Sequence, residues 1–307
     1  MALFHGVRTT ESKTGLLPAA PCDAAMPVYF GAAPVHRVNG KVNVPILSNG
    51  YDDAVLALGY DDDWEKWPLC ENTYAQYALF AMSPCVFVNV FDPAKHRTEV
   101  VDESVVVDAK DTAKLAKKDA LLGTVIVKSQ DGATTYVAGT DYSIAYDAEY
   151  KATIVRKTGG AIPAGGMLSV SYFYADPGKM TSADIIGGVD PATGDERGLE
   201  AIEKVFPLYR KKPGMIVATG WSHDAVVAAV MAAKALEING IFEAVAIVDI
   251  PVEGEGAPVH YADVPGWKER NNIVDRTQHA AWPLLRLGDL EFCQRSEERR
   301  VGKECRS

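Results

Sequence analysis

Continuous apolar runs and helical spacing alternate along the chain up to about Pro93. PVYFGAAPV (27–35) is an apolar run with a Gly-containing exit, which predicts a buried strand, and VPIL (44–47) is a second short run. DDAVLALG (52–59) has helical spacing, with Ser48 and Asp52 offering N-cap chemistry and Gly59 a C-cap. ENTYAQYALFAM (71–82) predicts a further helix stopped by Ser83-Pro84, and CVFVNVF (85–91) reads as a strand covered on both faces. Strand, helix, helix, strand points to an α/β layer.

From about 96 to 179 the pattern changes. TVIVKS (124–129), TTYVA (134–138), YSIAY (142–146), KATIVR (151–156) and MLSVSYFY (167–174) are short and separated by the turn signals QDG, GTD, DAE and GGAIPAGG. In the last, Leu168, Val170, Tyr172 and Tyr174 share one face. This predicts an all-β, sandwich-like insertion between the hinge-like segments DPAKH (92–96) and ADPGKMTS (175–182). AKDTAKLAKKDALL (109–122) fits either a helix or a charged linker.

After 180 the α/β pattern returns. GLEAIEKVFPLY (198–209) predicts a helix up to Pro207, and MIVAT (215–219) a strand. Ser222 is placed to cap a helix over 223–238 that ends at Asn239-Gly240, and AVAIVDIP (244–251) is the next strand, parallel to the first. HAAWPLLRLGDLEF (279–292) begins another strand. The expected fold is thus α/β (α+β overall), a mixed or parallel sheet core with helices, interrupted by the β insertion.

Composition narrows the function. Of 307 residues 48% are hydrophobic and only 23% charged, enough apolar surface for a sizeable core. The formal charge is −10, which disfavours nucleic acid or an anionic membrane as partner. The start has no secretory signal pattern and no apolar run is long enough to span a membrane. The five cysteines form no CxxC pair, so neither zinc nor a disulfide framework is expected.

Candidate chemistry thins on inspection. GWSHD (220–224) sets Ser, His and Asp side by side, but Asp224 stands where G-x-S-x-G needs its second glycine, and adjacent side chains at a helix start diverge. A capping role for Ser222, with Asp224 facing the helix dipole, accounts for them. GGVDPATGDERG (187–198) lacks the Lys-Ser/Thr pair of a phosphate loop and the spacing of a calcium loop, and reads as a polar surface loop. DDDWEKW (61–67) reads as a solvated loop with Trp64 and Trp67 packed on the body. The six histidines show no metal-ligand spacing, and VEGEGAPVH (252–260) has no GxGxxG. No catalytic, cofactor or metal site is expected.

The order of segments carries a resemblance. FHGVRTTE (4–11), PVYFGAAP (27–34), SNGYDDAVLALG (48–59), the turns DGATTYVAGTDYSI (131–144) and GGAIPAGGMLSVSYFY (159–174), and above all ADIIGGVDPATGDERGLEAI (183–202) with the GWSHD turn resemble the tail sheath proteins of contractile phage tails and R-type pyocins. The likeness covers about 2–292. It implies a structural, non-enzymatic virion protein, assembled in the host bacterial cytoplasm. Such sheaths stack as six-fold rings around a tail tube and contract to drive it through the host envelope. The implied partners are further copies of the chain, the tail tube protein, and baseplate and tail terminator proteins, without nucleic acid or membrane insertion.

The expected divisions are an extended arm over 1–18, a discontinuous α/β core over 19–95 and 180–294, and the insertion over 96–179. Leu3, Phe4 and Val7 are the expected subunit anchors of the arm. RSEERRVGKECRS (295–307) resembles a translated sequencing adapter, so it is expected to be non-native, with the chain cut short of its natural C-terminus. Two other classes fit the bare pattern: an α/β hydrolase-like enzyme with a β accessory module, and a type VI secretion sheath component.

Overall fold

The computed structural model of the protein describes residues 26–252, 254, 256–283, 286–287 and 290–291. The chain begins with β1 (Pro27–Gly31), β2 (Pro45–Ser48), α1 (Tyr51–Leu58), α2 (Pro68–Thr73) and β3 (Cys85–Asn89). A run of strands follows: β4 (Arg97–Val106), β5 (Thr112–Lys118), β6 (Ile126–Ser129), β7 (Thr135–Tyr136), β8 (Tyr142–Tyr146), β9 (Lys151–Arg156) and β10 (Met167–Ala175). Then come α3 (Ser182–Ile186), the hairpin β11 (Gly188–Val189) and β12 (Glu196–Arg197), and α4 (Val205–Tyr209). β13 (Met215–Ala218), α5 (Ala225–Leu236), β14 (Val245–Asp249), α6 (Val264–Arg270) and β15 (Gln278–Ala281) complete the main elements.

The main sheet has the order β15-β14-β13-β1-β3-β2, parallel except that β2 runs antiparallel to β3. Every residue of β1 and β3 is buried, which is why both read as unbroken apolar runs. The parallel pairing expected of the strands at 215–219 and 244–251 is present, with Ile216 opposite Ala246. α5 lies between them in sequence and buries Val227, Ala228, Met231, Ala232 and Ala235, a stripe at helical spacing. Trp64 and Trp67 are buried, as expected of the DDDWEKW loop.

The strands between Arg97 and Ala175 form two further antiparallel sheets, β4-β10-β6-β7 and β5-β9-β8. They enclose their own apolar cluster, in which Val127, Leu168, Val170 and Tyr172 from one sheet meet Ala113, Leu115, Ala152 and Ile154 from the other. The whole is a mixed α+β fold with separate sheet systems, as the alternation pattern predicts. Tyr174, assigned to the inward face, is only partly buried and packs at the margin of this cluster.

Several expectations need correction. The segment 109–122 is neither helix nor linker: Thr112–Lys118 is β5. Its Ala and Lys content favours a helix, but pairing of Thr112, Ala113 and Lys114 with β9 and burial of Ala113 and Leu115 override propensity. β4 was invisible among its charges, because only Val105 is fully buried and a bulge interrupts the ladder between Val170 and Tyr172 of its partner. The second helix starts three residues earlier than expected, with Pro68 in its first turn, and passes into a π-helical turn over Tyr74–Leu79. Pro207 does not end a helix. It lies inside the first turn of α4, where a missing N–H costs nothing, after a 3-10 stretch over Gly198–Lys204. α1 is capped by Gly50, while the Ser48 hydroxyl donates to Gly50 O at 2.9 Å.

Candidate functional site

In parallel α/β sheets, ligands gather at the carboxyl ends of the strands. Here the buried polar groups at those ends are turned on one another. After β3, the Asn89 side chain accepts from Ala33 N at 3.0 Å and donates to Phe91 O at 2.8 Å. After β13, the Thr219 hydroxyl donates to Asn72 Oδ1. At the end of β14, Asp249 Oδ2 accepts from the Ser222 hydroxyl at 3.1 Å, and Ser222 Oγ accepts from Asp249 N at 3.0 Å. These pairs close the loops over the sheet and leave no converging nucleophile and base.

The GWSHD turn is resolved by the same geometry, and the expected cap is reassigned. Ser222 is fully buried against β14 and does not cap α5. Asp224 is the N-cap, accepting from Val226 N at 2.8 Å, and its other oxygen takes the Ser182 hydroxyl. That hydroxyl holds the Asp224 carboxyl below its ordinary value, with the α5 amides adding to the effect. His223 is exposed. The three side chains point to three different places, so no triad forms.

The stretch 187–198 is not a plain loop but the hairpin β11–β12. Two of its four glycines are sterically required. At Gly187 (φ +69°) a Cβ would lie 1.9 Å from Arg197 O, and at Gly198 (φ +58°) it would lie 2.3 Å from Ile185 O. Beside the hairpin is a polar cleft of about 670 Å³, lined in part by Asn43, His96, Asp184 and Arg197. Asp184 closes a capping box with Thr181 at the start of α3 and pairs with Lys95. Burial opposes its charge, but the bonds from Lys95 and Thr181 win and hold the carboxyl at about 2. His96 Nδ1 accepts from Asp92 N at 3.0 Å, and its Nε2 lies 3.4 Å from Asp184. The cleft mixes both signs of charge. Among the described residues no group of three His, Cys, Asp or Glu side chains could hold a metal ion.

The densest charged cluster lies where the β strands meet the main sheet. Asp119, in the turn after β5, is almost wholly buried. Its Oδ1 accepts from Arg37 Nε at 2.7 Å and His36 Nε2 at 3.1 Å, and its Oδ2 from Lys66 Nζ at 3.0 Å. Arg37 also donates to Tyr60 O and Asp61, and lies 3.6 Å from the centre of the Tyr150 ring. Burial opposes the charge on Asp119, but the hydrogen bonds from His36 and Arg37 and the charges of Arg37 and Lys66 outweigh it. They hold the carboxyl far below the ordinary carboxylate range. Burial also pushes the His36 imidazole below its usual value, against the pull of Asp119. His36 Nδ1 is buried without a hydrogen-bond partner, so the site accepts the neutral ring with its proton on Nε2.

Sequence reasoning missed this cluster. Asp119 sits in a lysine-rich run that fits either a helix or a charged linker, and His36-Arg37 directly follow the apolar run 27–35 and carry no pattern of their own. The available signal was an acid placed directly before the apolar AL pair at 120–121. The anchors expected of the N-terminal arm, Leu3, Phe4 and Val7, lie outside the described residues, as does the segment 295–307.

The frame for these buried polar pairs is an α/β sheet carrying a separate β sandwich. The chain is 31% identical over 251 residues to the tail sheath protein of Burkholderia phage BcepMu, an alignment covering 81% of this chain and 49% of that protein. The chain is therefore related to the phage tail sheath family over most of its length, and spans about half the length of the curated relative it matches. No family model matches it. No helix among the described residues is long and apolar enough to cross a membrane.

Proposed function

We propose that the chain is a structural subunit of a contractile phage tail sheath, without catalytic activity. The observation that carries this reading is the 31% identity to a tail sheath protein across 81% of the chain. In this reading copies of the chain stack as rings around a tail tube protein within the virion, bounded by baseplate and terminator proteins, and contraction drives the tube forward. The segment 96–179 is an insertion domain within an α/β core formed by 19–95 and 180–294. Its separate apolar cluster supports that division. The hydrolase alternative loses its motive, because the Ser222 hydroxyl is buried and bonded to Asp249, away from the exposed His223.

The test is assembly. The full reading frame, co-expressed with its tube protein, is expected to give hollow cylinders or rings by negative-stain electron microscopy. A uniform monomer under those conditions, or ester or peptide hydrolysis that depends on Ser222, would overturn the proposal.

A further inference from the structure

The β sandwich meets the main-sheet body in an unusual way. Two chain crossings, at 92–97 and 175–181, lie side by side and are tied together: Asp176 N donates to His96 O at 3.0 Å, and the Thr98 hydroxyl to Asp176 Oδ2 at 2.6 Å. A body attached by two adjacent crossings can rotate about them unless a further contact holds it. Asp119 is such a contact, placed beside the crossings. Its backbone belongs to the sandwich, with its N–H donating to Tyr150 O and its carbonyl accepting from Ala175 N, both at 2.9 Å. Its carboxylate belongs to the other side, since the three side chains that it binds, His36, Arg37 and Lys66, all lie in the segments between β1 and α2. Other contacts across the same line among the described residues include Tyr150 under Arg37, Tyr146 edge-on to His36 at 6.4 Å, and Leu121 and Ala175 against the main apolar cluster. Beside the lock is a cleft of about 600 Å³, lined on one side by Val35, His36 and Asn39 and on the other by Leu121, Leu122 and Tyr146.

We propose that the sandwich is a hinged body with two positions relative to the main sheet, and that the Asp119 carboxylate is the lock that selects the one seen here. The hinge is the tied pair of crossings. The lock is a set of bonds that all depend on one side chain, so it releases as a unit. The cleft supplies room for the rotation. This inference rests on reading 96–179 as an inserted domain, and it goes beyond that reading by assigning the domain a movement and a latch. Buried, directional charge contacts suit such a latch, because they hold one geometry and lose their hold when a single partner leaves.

The experiment measures the distance between spin labels on the two bodies, at Leu56→Cys on α1 and Ser143→Cys on β8, both exposed positions. Cys22, Cys293 and Cys305 are replaced by serine. Cys70 and Cys85 are buried, and burial pushes the Cys70 thiol up to about 12, so it does not compete for label. The parent should give one narrow distance. Asp119→Asn and, from the opposite side of the lock, Arg37→Gln should each shift or broaden it, while amide hydrogen exchange in β9 and β10 stays as slow as in the parent. Unchanged distances in both variants would overturn the latch. So would loss of exchange protection in β9 and β10, because Asp119 would then be holding the sandwich together and not docking it. If sandwich amides in the parent exchange as one unit with those of β1 and β3, the inserted-domain reading itself fails, and the latch with it. Should Asp119→Asn not fold, Arg37→Gln and Lys66→Gln decide alone.

Discussion

Replacing Ser222 and Asp224 by alanine, one at a time, separates the buried bond that Ser222 makes from the helix cap, which the sequence reading gave to Ser222 and the structure gives to Asp224. Ser222→Ala removes the hydroxyl that donates to Asp249 Oδ2 at 3.1 Å and accepts from Asp249 N at 3.0 Å. Ser222 is fully buried, so water cannot replace the hydroxyl, and a buried backbone N–H is left without that acceptor. Such a loss costs about 1–3 kcal/mol, because the desolvation penalty of the abandoned group is added to the lost bond. Asp249 has a further partner, which places the expected cost toward the lower half of that range. Asp224→Ala removes the cap on Val226 N and the acceptor for the Ser182 hydroxyl at a partly exposed helix start. A lost cap costs about 0.5–2 kcal/mol, and water can take over part of its role.

The assay is urea unfolding followed by fluorescence of Trp221, next to both residues, together with hydrogen exchange of the β14 amides. Ser222→Ala should speed exchange in β14, and Asp224→Ala should act chiefly on the first turn of α5. Neither should alter hydrolysis of ester or peptide substrates, which should be absent throughout. A Ser222→Ala variant as stable as the parent, with β14 exchange unchanged, would refute the buried-bond argument. Turnover that vanished with Ser222 would refute the structural reading altogether.

Acid should loosen the joint between the two sheet systems. His36 is held neutral below its ordinary value of 6.5, so the unfolded chain gains a proton first and stability falls as pH drops below about 6.5. The depressed Asp119 carboxyl adds a second loss below about 3.8, as the unfolded carboxyl takes up its proton. Melting temperature against pH should show both arms, and His36→Gln should flatten the upper one. Gly187→Ala and Gly198→Ala should each destabilise the hairpin by about 1–3 kcal/mol, seen by thermal unfolding, because neither Cβ can be placed without moving a backbone carbonyl. A fragment of 96–179 should fold alone, giving a β-type far-ultraviolet spectrum and a cooperative melt, since its two sheets cover each other's apolar faces.

What could be read from the chain followed from how much of each element is buried. β1 and β3 are buried along their whole length, so their pattern is unambiguous. β10 shows alternation because one face meets the sandwich core, with Leu168, Val170 and Tyr172 buried. β4 and β5 were lost because each presents few inward apolar positions among charges, and their strand character comes from partners distant in sequence. α3 escaped notice because it has only five residues, although its Thr181–Asp184 capping box was present in the sequence. The 187–198 segment was legible as a distinctive motif but not as a hairpin. Its glycines mark a close crossing of backbone at 185–187 and 197–198, which no local turn rule encodes.

The candidate site was the least legible part, for a reason that bears on what the protein does. Residues that carry chemistry in enzymes are present, but these polar pairs tie one chain segment to another: Ser222 to Asp249, Ser182 to Asp224, Lys95 to Asp184, Arg197 to Asp190 and Asp119 to His36, Arg37 and Lys66. Such ties cannot be seen from local sequence, because their partners lie 7 to 89 positions away. Of these, the Asp119 cluster is the most costly to bury, since its ions lose several kcal/mol of hydration each and an apolar set of the same volume would often hold the two bodies as well. Net stability is therefore a poor account of why charge is used there. An apolar contact tolerates sliding, whereas a carboxylate shared between a guanidinium, an imidazole and an ammonium has one good geometry and sharply worse neighbours. Under the proposed hinge, that steepness is what lets one side chain fix the angle of the sandwich and release it as a unit.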